Sequence, residues 1–523
     1  MATLLSKLLA LPQQWQLLLL LLLLPIASLL LVIGRDTGGR RRRRHLRVPP
    51  GPARLPVLGN LLQLGALPHR SLRDLARRHG PVMMLRLGAV PAVVVSSPEA
   101  AQEVLRTRDA DCCSRPSSPG PMRLSYGYKD VAFAPYDAYG RAARRVFVAE
   151  LFSAPRVHAA WRARQDQVEK LIGKLTWPEP KSVELNDHIF ALTDGIIGAV
   201  AFGSIYGTER FAGGGRKGFR HLLDDVMDML ASFSAEDFFP NTAAGRLFDH
   251  LTGLVARRER VFQQLDAFFE MVIEQHLDSD SSGGSGGNLV DALIGLWKQG
   301  KQYGDRRFTR EHVKAIIFDA FIGGIGTSSV TILWAMAELI RSPRVMRKVK
   351  GEIRATVGDR DGGGMVQPDD LPRLAYLKMV VKETLRLHPP ATLLMPRETM
   401  RDVRIGGYEV AARTRVMVNA WAIGRDAARW EEAEVFDPDR FERKRVEFNG
   451  GHFELLPFGS GRRICPGIAM GAANVEFTLA NLLHCFDWAM PEGMAPEELS
   501  MEESGGLVLH RKAPLVLVPT RYN

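Results

Sequence analysis

The densest chemistry in the chain lies near its C-terminal end, in Phe458-Gly459-Ser460-Gly461-Arg462-Arg463-Ile464-Cys465-Pro466-Gly467. Pro466 suits the first position of a helix, which would put Cys465 at that helix's N-terminal end. There the helix dipole and free backbone N–H groups lower a thiol's pKa. Gly461 and Gly467 let the backbone bend tightly around the sulfur or approach a flat ligand, and Arg463 can pair with a carboxylate. A thiolate in such a loop can ligate haem iron. A buried structural cysteine behind a tight turn would account for Cys465 alone equally well.

Two further groups of residues could act with it. A helical pattern runs from Arg310 to Arg341, with Thr309 as N-cap and Pro343 as stop. Its middle reads Gly323-Gly324-Ile325-Gly326-Thr327. Each mid-helix glycine costs about 1 kcal/mol against alanine, so something must compensate. Close approach of a flat ligand would do so, and so would tight helix–helix packing. The Thr327 hydroxyl could take a backbone carbonyl and open the helix locally. The second group is Glu383-Thr384-Leu385-Arg386, where Glu and Arg at i, i+3 share a helix face. Arg440 and Arg397 read as ordinary arginines on their own.

The elements that must hold these residues are mostly helical in pattern. Short strand-rich patches lie at Val82–Leu87, Ala92–Val95 and Val403–Val418, the last with a Gly406-Gly407 turn. Ser279 to Gly287 and Gly362 to Gly364 read as flexible loops. At 523 residues, 46% hydrophobic and 24% charged, the chain is neither disordered, collagenous nor coiled coil. A mean hydropathy of −0.07 excludes a polytopic membrane protein. Four cysteines without metal-ligand spacing exclude a disulfide scaffold and a zinc site, and imply a reducing compartment.

The net charge of +11 is local, because residues 1–47 carry +7 of it. This excludes a nucleic-acid-binding face spread over the chain. The basic cluster follows eight consecutive leucines, Leu17 to Leu24, in an apolar run just long enough to span a bilayer. Arginines after the run place the downstream body in the cytosol. A cleaved signal peptide would carry its charge before the run. The expected organisation is an anchor over 1–34, a basic and proline-rich hinge over 35–60, and one catalytic domain over 61–523.

The ten-residue cysteine segment resembles, at all five fixed positions, the haem-binding signature of the cytochrome P450 family, Phe-x-x-Gly-x-Arg-x-Cys-x-Gly. The resemblance extends from anchor to tail and is strongest to plant microsomal members of the A-type clan. It implies a mainly α fold with a small β region, a single large haem domain behind a transmembrane helix. It implies haem b with Cys465 as axial ligand, and Phe458, Gly461, Arg463 and Gly467 around it. Arg144 and Arg397 would contact a propionate, Gly323 and Gly324 would border the haem, and Thr327 would serve oxygen activation. Glu383, Arg386 and Arg440 would form a structural ion network.

The implied function is monooxygenation of a small, largely apolar substrate with O2. Electrons would come from NADPH through cytochrome P450 reductase, with cytochrome b5 as a further donor, at the endoplasmic reticulum membrane. No dinucleotide motif is evident in the chain itself. The implied pocket lining includes Arg115 to Lys129, Phe238 to Pro240, Phe318, Phe321, Ile322, Ala391 to Leu394, and Leu507 to Leu509. Two departures stand out. Gly326 replaces the acid that normally precedes Thr327. Gly140 replaces a tryptophan four residues before Arg144, a gap that Arg141 or Tyr139 could fill. The missing acid leaves open a haem-thiolate isomerase or dehydratase acting on hydroperoxides, and a non-catalytic haem binder is the third reading.

Overall fold

The computed structural model describes residues 47–176, 181–203, 215–280, 288–303, 306–358 and 364–522. The expected anchor over 1–34, the hinge up to residue 46, residues 281–287 of the expected 279–287 loop and Gly362-Gly363 lie outside them. The elements that build the site are, in chain order, β1 (Val82–Leu87), β2 (Val90–Val95), α1 (Ala138–Phe147), α2 (Leu185–Phe202), α3 (Arg310–Arg341), α4 (Ala375–Leu387), β3 (Arg397–Glu398), β4 (Arg415–Val418) and α5 (Ile468–Cys485).

One four-stranded sheet has the order β1-β2-β4-β3. β1 and β2 pair antiparallel from Val82↔Val95 to Leu87↔Val90, and β2 runs parallel to β4. Alternation along the strands splits the sheet into two apolar faces. Val82, Val93, Val95, Val416 and Val418 pack with Leu105 and Cys112. Met83, Leu85, Ala92, Val94 and Met417 pack with Leu72 on the other side. The Gly406-Gly407 turn forms as expected between Val403–Ile405 and Tyr408–Val410, with φ of +58° and +78°.

The proline-rich segment is not a free hinge from Pro50 onward. Met84 N–H donates to Pro50 O at 2.7 Å and Asn60 N–H to Arg86 O at 2.6 Å. Gly51 lies so close to β1 that an added Cβ would stand 2.0 Å from Met84 O. The segment is a strap on the sheet edge.

α3 forms over the expected 32 residues, roughly 48 Å at 1.5 Å per residue. Thr309 caps it through His312 Nδ1, at 3.1 Å from the backbone N–H and 2.7 Å from the hydroxyl. Apolar residues surround it on all sides, the pattern of a helix buried through a large core, and its length and hydropathy are those of that core helix. Its first half, to Ile325, packs with α1 and α2; its second half, from Ile332, packs with α4 and α5. Between the two clusters, Gly323 is exposed although both ends of α3 are buried. The helix crosses an opening there.

Candidate functional site

Gly323, Gly326 and Thr327 fall at i, i+3 and i+4, so they share the face of α3 that borders this opening. A Cβ at Gly323 would meet nothing within 4 Å, and one at Gly326 would meet only Met227 Cε, at 3.9 Å. Thr327 Oγ1 donates to Gly323 O at 2.6 Å, the local backbone contact anticipated from the sequence. Gly324, expected beside the cofactor, points elsewhere. One residue further round the helix, its Cβ position lies 2.6 Å from Ile197 Cδ1 on α2. Its small size serves helix packing, and the other two positions serve the cavity.

The cysteine loop is closed by Cys465 N–H donating to Phe458 O at 2.9 Å. Gly461 has φ +72°, and a Cβ there would stand 2.0 Å from Leu105 O, so glycine is required. Phe458 stacks at a tilt on Phe448, ring centroids 5.3 Å apart. The helix that follows differs from expectation: α5 starts at Ile468 with Gly467 as N-cap, so Pro466 belongs to the turn. The sulfur still receives one backbone donor, Gly467 N–H at 3.3 Å. Burial pushes the Cys465 thiol up, against the lowering effects of that N–H and of Arg144. Without a metal the thiol therefore stays protonated, and a coordinating metal would deprotonate it.

Four guanidinium groups gather beside this loop. Arg463 donates to Cys113 O at 2.9 Å, Val131 O at 3.2 Å and Ala134 O at 2.6 Å. Arg144, from α1, donates to Ile464 O. Arg115 donates to Ala132 O, Met395 O and Pro396 O, each at 2.9 Å. Arg397, delivered by the short strand β3, is paired with Asp109 at 2.6 Å and bonds Ser460 O at 2.8 Å, and Asp109 also takes Arg462 at 3.3 Å. Burial first, then Arg463 and Arg397, pushes the Arg115 pKa well down. Burial likewise lowers Arg144 and Arg463. Among the described residues these three half-buried guanidiniums bond carbonyls, and Arg115 the Met395 sulfur as well at 3.7 Å, but no carboxylate, an arrangement suited to an anionic partner.

Sequence reasoning named Arg115 only as the start of a pocket stretch. In Cys112-Cys113-Ser114-Arg115 no local pattern marks it.

Neither proposed substitute for the missing tryptophan reaches this cluster as expected. Tyr139 is turned away, its hydroxyl on Lys129 O at 2.6 Å and its ring against His312. Arg141 lies over the Tyr136 ring, 5.4 Å from its centroid. No side chain fits at Gly140 on this backbone, since a Cβ would stand 2.5 Å from Pro135 O.

The ion network forms fully. Arg386 bonds both Glu383 oxygens, at 2.7 and 2.8 Å, and Arg440 bonds Glu383 Oε1 at 2.9 Å. Arg386 also donates to Gly424 O and Ala433 O at 2.6 Å. Both Glu383 and Arg386 are essentially inaccessible to solvent. They lock α4 to the chain that precedes the cysteine loop.

The family profile described as Cytochrome P450 matches residues 49–518. The chain belongs to the cytochrome P450 family. It is 62% identical over 479 residues to a 4-hydroxyphenylacetaldehyde oxime monooxygenase of Sorghum bicolor, covering 91% of this chain and 89% of that one. It is 45% identical to a 2-methylbutanal oxime monooxygenase of Manihot esculenta, over 91% and 92% of the two chains. A solved zebrafish cytochrome P450 with progesterone superposes with TM-score 0.72 at 25% identity, covering 87% of this chain and 99% of that one.

This P450 is a haem-thiolate monooxygenase of the plant A-type group, and its cofactor is haem b. The residues present fit that group. Cys465 offers a thiol in a closed loop, Gly323 leaves the α3 face flat, and the three half-buried guanidiniums beside the loop suit two carboxylates. Haem would supply the activation of O2, with Cys465 to hold its iron and Arg115, Arg144 and Arg463 to hold its carboxylates.

Proposed function

We propose that this P450 oxygenates an aldoxime. The observation that carries this reading is the 62% identity to an aldoxime monooxygenase across 91% of the chain. Phe133, Phe318, Phe321 and Ile322 belong to one apolar cluster around the first half of α3, and in this reading its edge borders a small hydrocarbon or aromatic body.

In this reading Cys465 is the axial ligand, and Arg115, Arg144 and Arg463 hold the propionates, with Arg397 set behind them by Asp109. The Thr327 hydroxyl holds and passes protons at the distal side, and the space beside Gly326 admits water where an acid is missing. Electrons come from NADPH–cytochrome P450 reductase, with cytochrome b5 as a second donor.

The site of action is the endoplasmic reticulum membrane, with residues 1–34 as anchor, 61–523 as the catalytic domain and the body in the cytosol. An exposed apolar group supports membrane contact: Phe233, Phe248 and Leu251 are 57%, 53% and 78% exposed. Phe238, by contrast, packs on the sheet with Leu393.

The test is reconstitution of the full chain with reductase and NADPH. 4-Hydroxyphenylacetaldehyde oxime and 2-methylbutanal oxime are offered separately, and product is followed by mass spectrometry. Product with either oxime supports the reading. Absence of a Soret shift and of product with both removes it. Conversion of a lipid hydroperoxide without NADPH would replace it with the isomerase reading.

A further inference from the structure

The segment from Asp130 to Ala134 is held from two sides. On one side Asp319, on α3 and about two turns before Thr327, accepts from the backbone N–H groups of Val131 and Ala132. On the other, Arg463 donates to Val131 O and Ala134 O, and Arg115 to Ala132 O. The segment therefore ties the central helix to the cysteine loop. Its Val131 and Phe133 side chains pack in the apolar cluster of Phe318, Phe321 and Ile322, which in the proposed function borders the pocket, so this inference rests on that reading.

A second carboxyl lies under this junction. Asp130 is fully buried and accepts from Phe133 N–H at 2.7 Å through Oδ2. Asp319 is only 6% exposed. Oδ1 of each has no donor among the described residues, and Asp319 Oδ2 accepts from the N–H of Val131, the residue next to Asp130, so the two carboxyls are neighbours. Two ionised carboxylates at that separation in a buried site would repel; one proton between them turns repulsion into a charge-assisted O–H···O bond.

We propose that Asp130 and Asp319 share one proton, and that this bond latches the Asp130–Ala134 wall of the pocket to α3. Both are then positioning residues that fix pocket shape without touching the reacting atoms. Burial raises both carboxyls, and Asp130 raises Asp319 further, so the pair retains a proton where ordinary carboxyls have lost theirs. The groups facing the pair are Arg115 and Arg463, which favour ionisation, and the Tyr139 hydroxyl, which is committed to Lys129 O.

The experiment uses the haem-loaded full chain at neutral pH. Infrared spectroscopy should show the C=O stretch of a buried protonated carboxyl in wild type. The band should shift or vanish in both Asp130→Asn and Asp319→Asn, because each removes the partner of the shared proton. Hydrogen exchange of the Val131 and Ala132 amides is the second measurement. Asp319→Ala should lose about 10- to 100-fold of their protection. Asp319→Asn keeps an acceptor for both amides and a donor for Asp130, so it should retain most of the protection. A wild-type spectrum without the band, or one whose band is unmoved in either asparagine variant, overturns the shared proton. Protection in Asp319→Ala equal to wild type, or lost as fully in Asp319→Asn, overturns the latch. The asparagine variants preserve shape and charge-free pairing, so they remain informative where the alanine variant unfolds.

Discussion

Two adjacent glycines should respond in opposite ways to the same added methyl group. At Gly323, Cβ enters open space. Gly323→Ala should then gain the full helix propensity, about 1 kcal/mol, while its methyl narrows the opening that the proposed function gives to cofactor and substrate. At Gly324, Cβ would stand 2.6 Å from Ile197 Cδ1 and 2.8 Å from Cγ1, well inside contact distance. Overpacking of this kind costs about 1–3 kcal/mol. Set against the same propensity gain, Gly324→Ala should fall between neutral and about 2 kcal/mol destabilised.

Ile197 lies at the end of a branched side chain, so Ile197→Ala should make room. In that background Gly324→Ala should recover about 1 kcal/mol or more, an interaction a double-mutant cycle detects. Stability is read by denaturant unfolding, and cavity occupancy by the haem Soret band and the affinity for a distal azole ligand. Gly323→Ala should weaken azole binding without loss of stability, and Gly324→Ala should do the reverse. If Gly324→Ala stabilises as much as Gly323→Ala, or if it alone weakens the azole, the assignment of faces on α3 is wrong.

Glu383→Ala should cost about 3–5 kcal/mol, because it strands two buried guanidiniums, a large share of a typical domain's reserve of about 5–15 kcal/mol; urea unfolding that shows less than about 1 kcal/mol would contradict the network's burial. Cys465→Ser should abolish the carbon monoxide band of the reduced haem-thiolate protein, and Cys485→Ser should keep it; a normal band in Cys465→Ser removes the ligand assignment. Thr327→Ala should raise peroxide release relative to product at similar NADPH consumption, and unchanged coupling would show that protons arrive by another route. For Glu503, burial favours the protonated form, but hydrogen bonds from His69 and Arg70 outweigh it and hold the carboxyl down to about 2, from an ordinary 4.5. A depressed carboxyl contributes stability above its unfolded pKa and loses it as pH falls through the folded value. Unfolding free energy should therefore drop between about pH 4.5 and pH 2 in wild type and less in Glu503→Gln; parallel curves would refute the pairing.

The sequence alone was informative wherever chemistry is local. The cysteine loop spans ten contiguous residues. Glu383 and Arg386 share a helix face by spacing, and the ends of α3 are written in Thr309 and Pro343. Period and capping act over one or two turns, so no distant partner is needed to read them. Tertiary structure decided everything that depends on which segments meet.

Arg463 reaches Cys113 across 350 residues, and Asp319 reaches Val131 across 188. Neither Arg115 nor Asp130 carries any local sign of its burial. The helix period places Gly323 and Gly324 100° apart, but only the position of α2 determines which of them is pressed and which is open. Likewise Asp109, on its own short helix, pairs with both Arg397 and Arg462, a meeting that no local pattern announces. A side chain's charge and size are fixed by its residue type, whereas its solvation and partners are fixed by the packing of elements far apart in the chain. The pairing of buried charges was for that reason settled only by the fold.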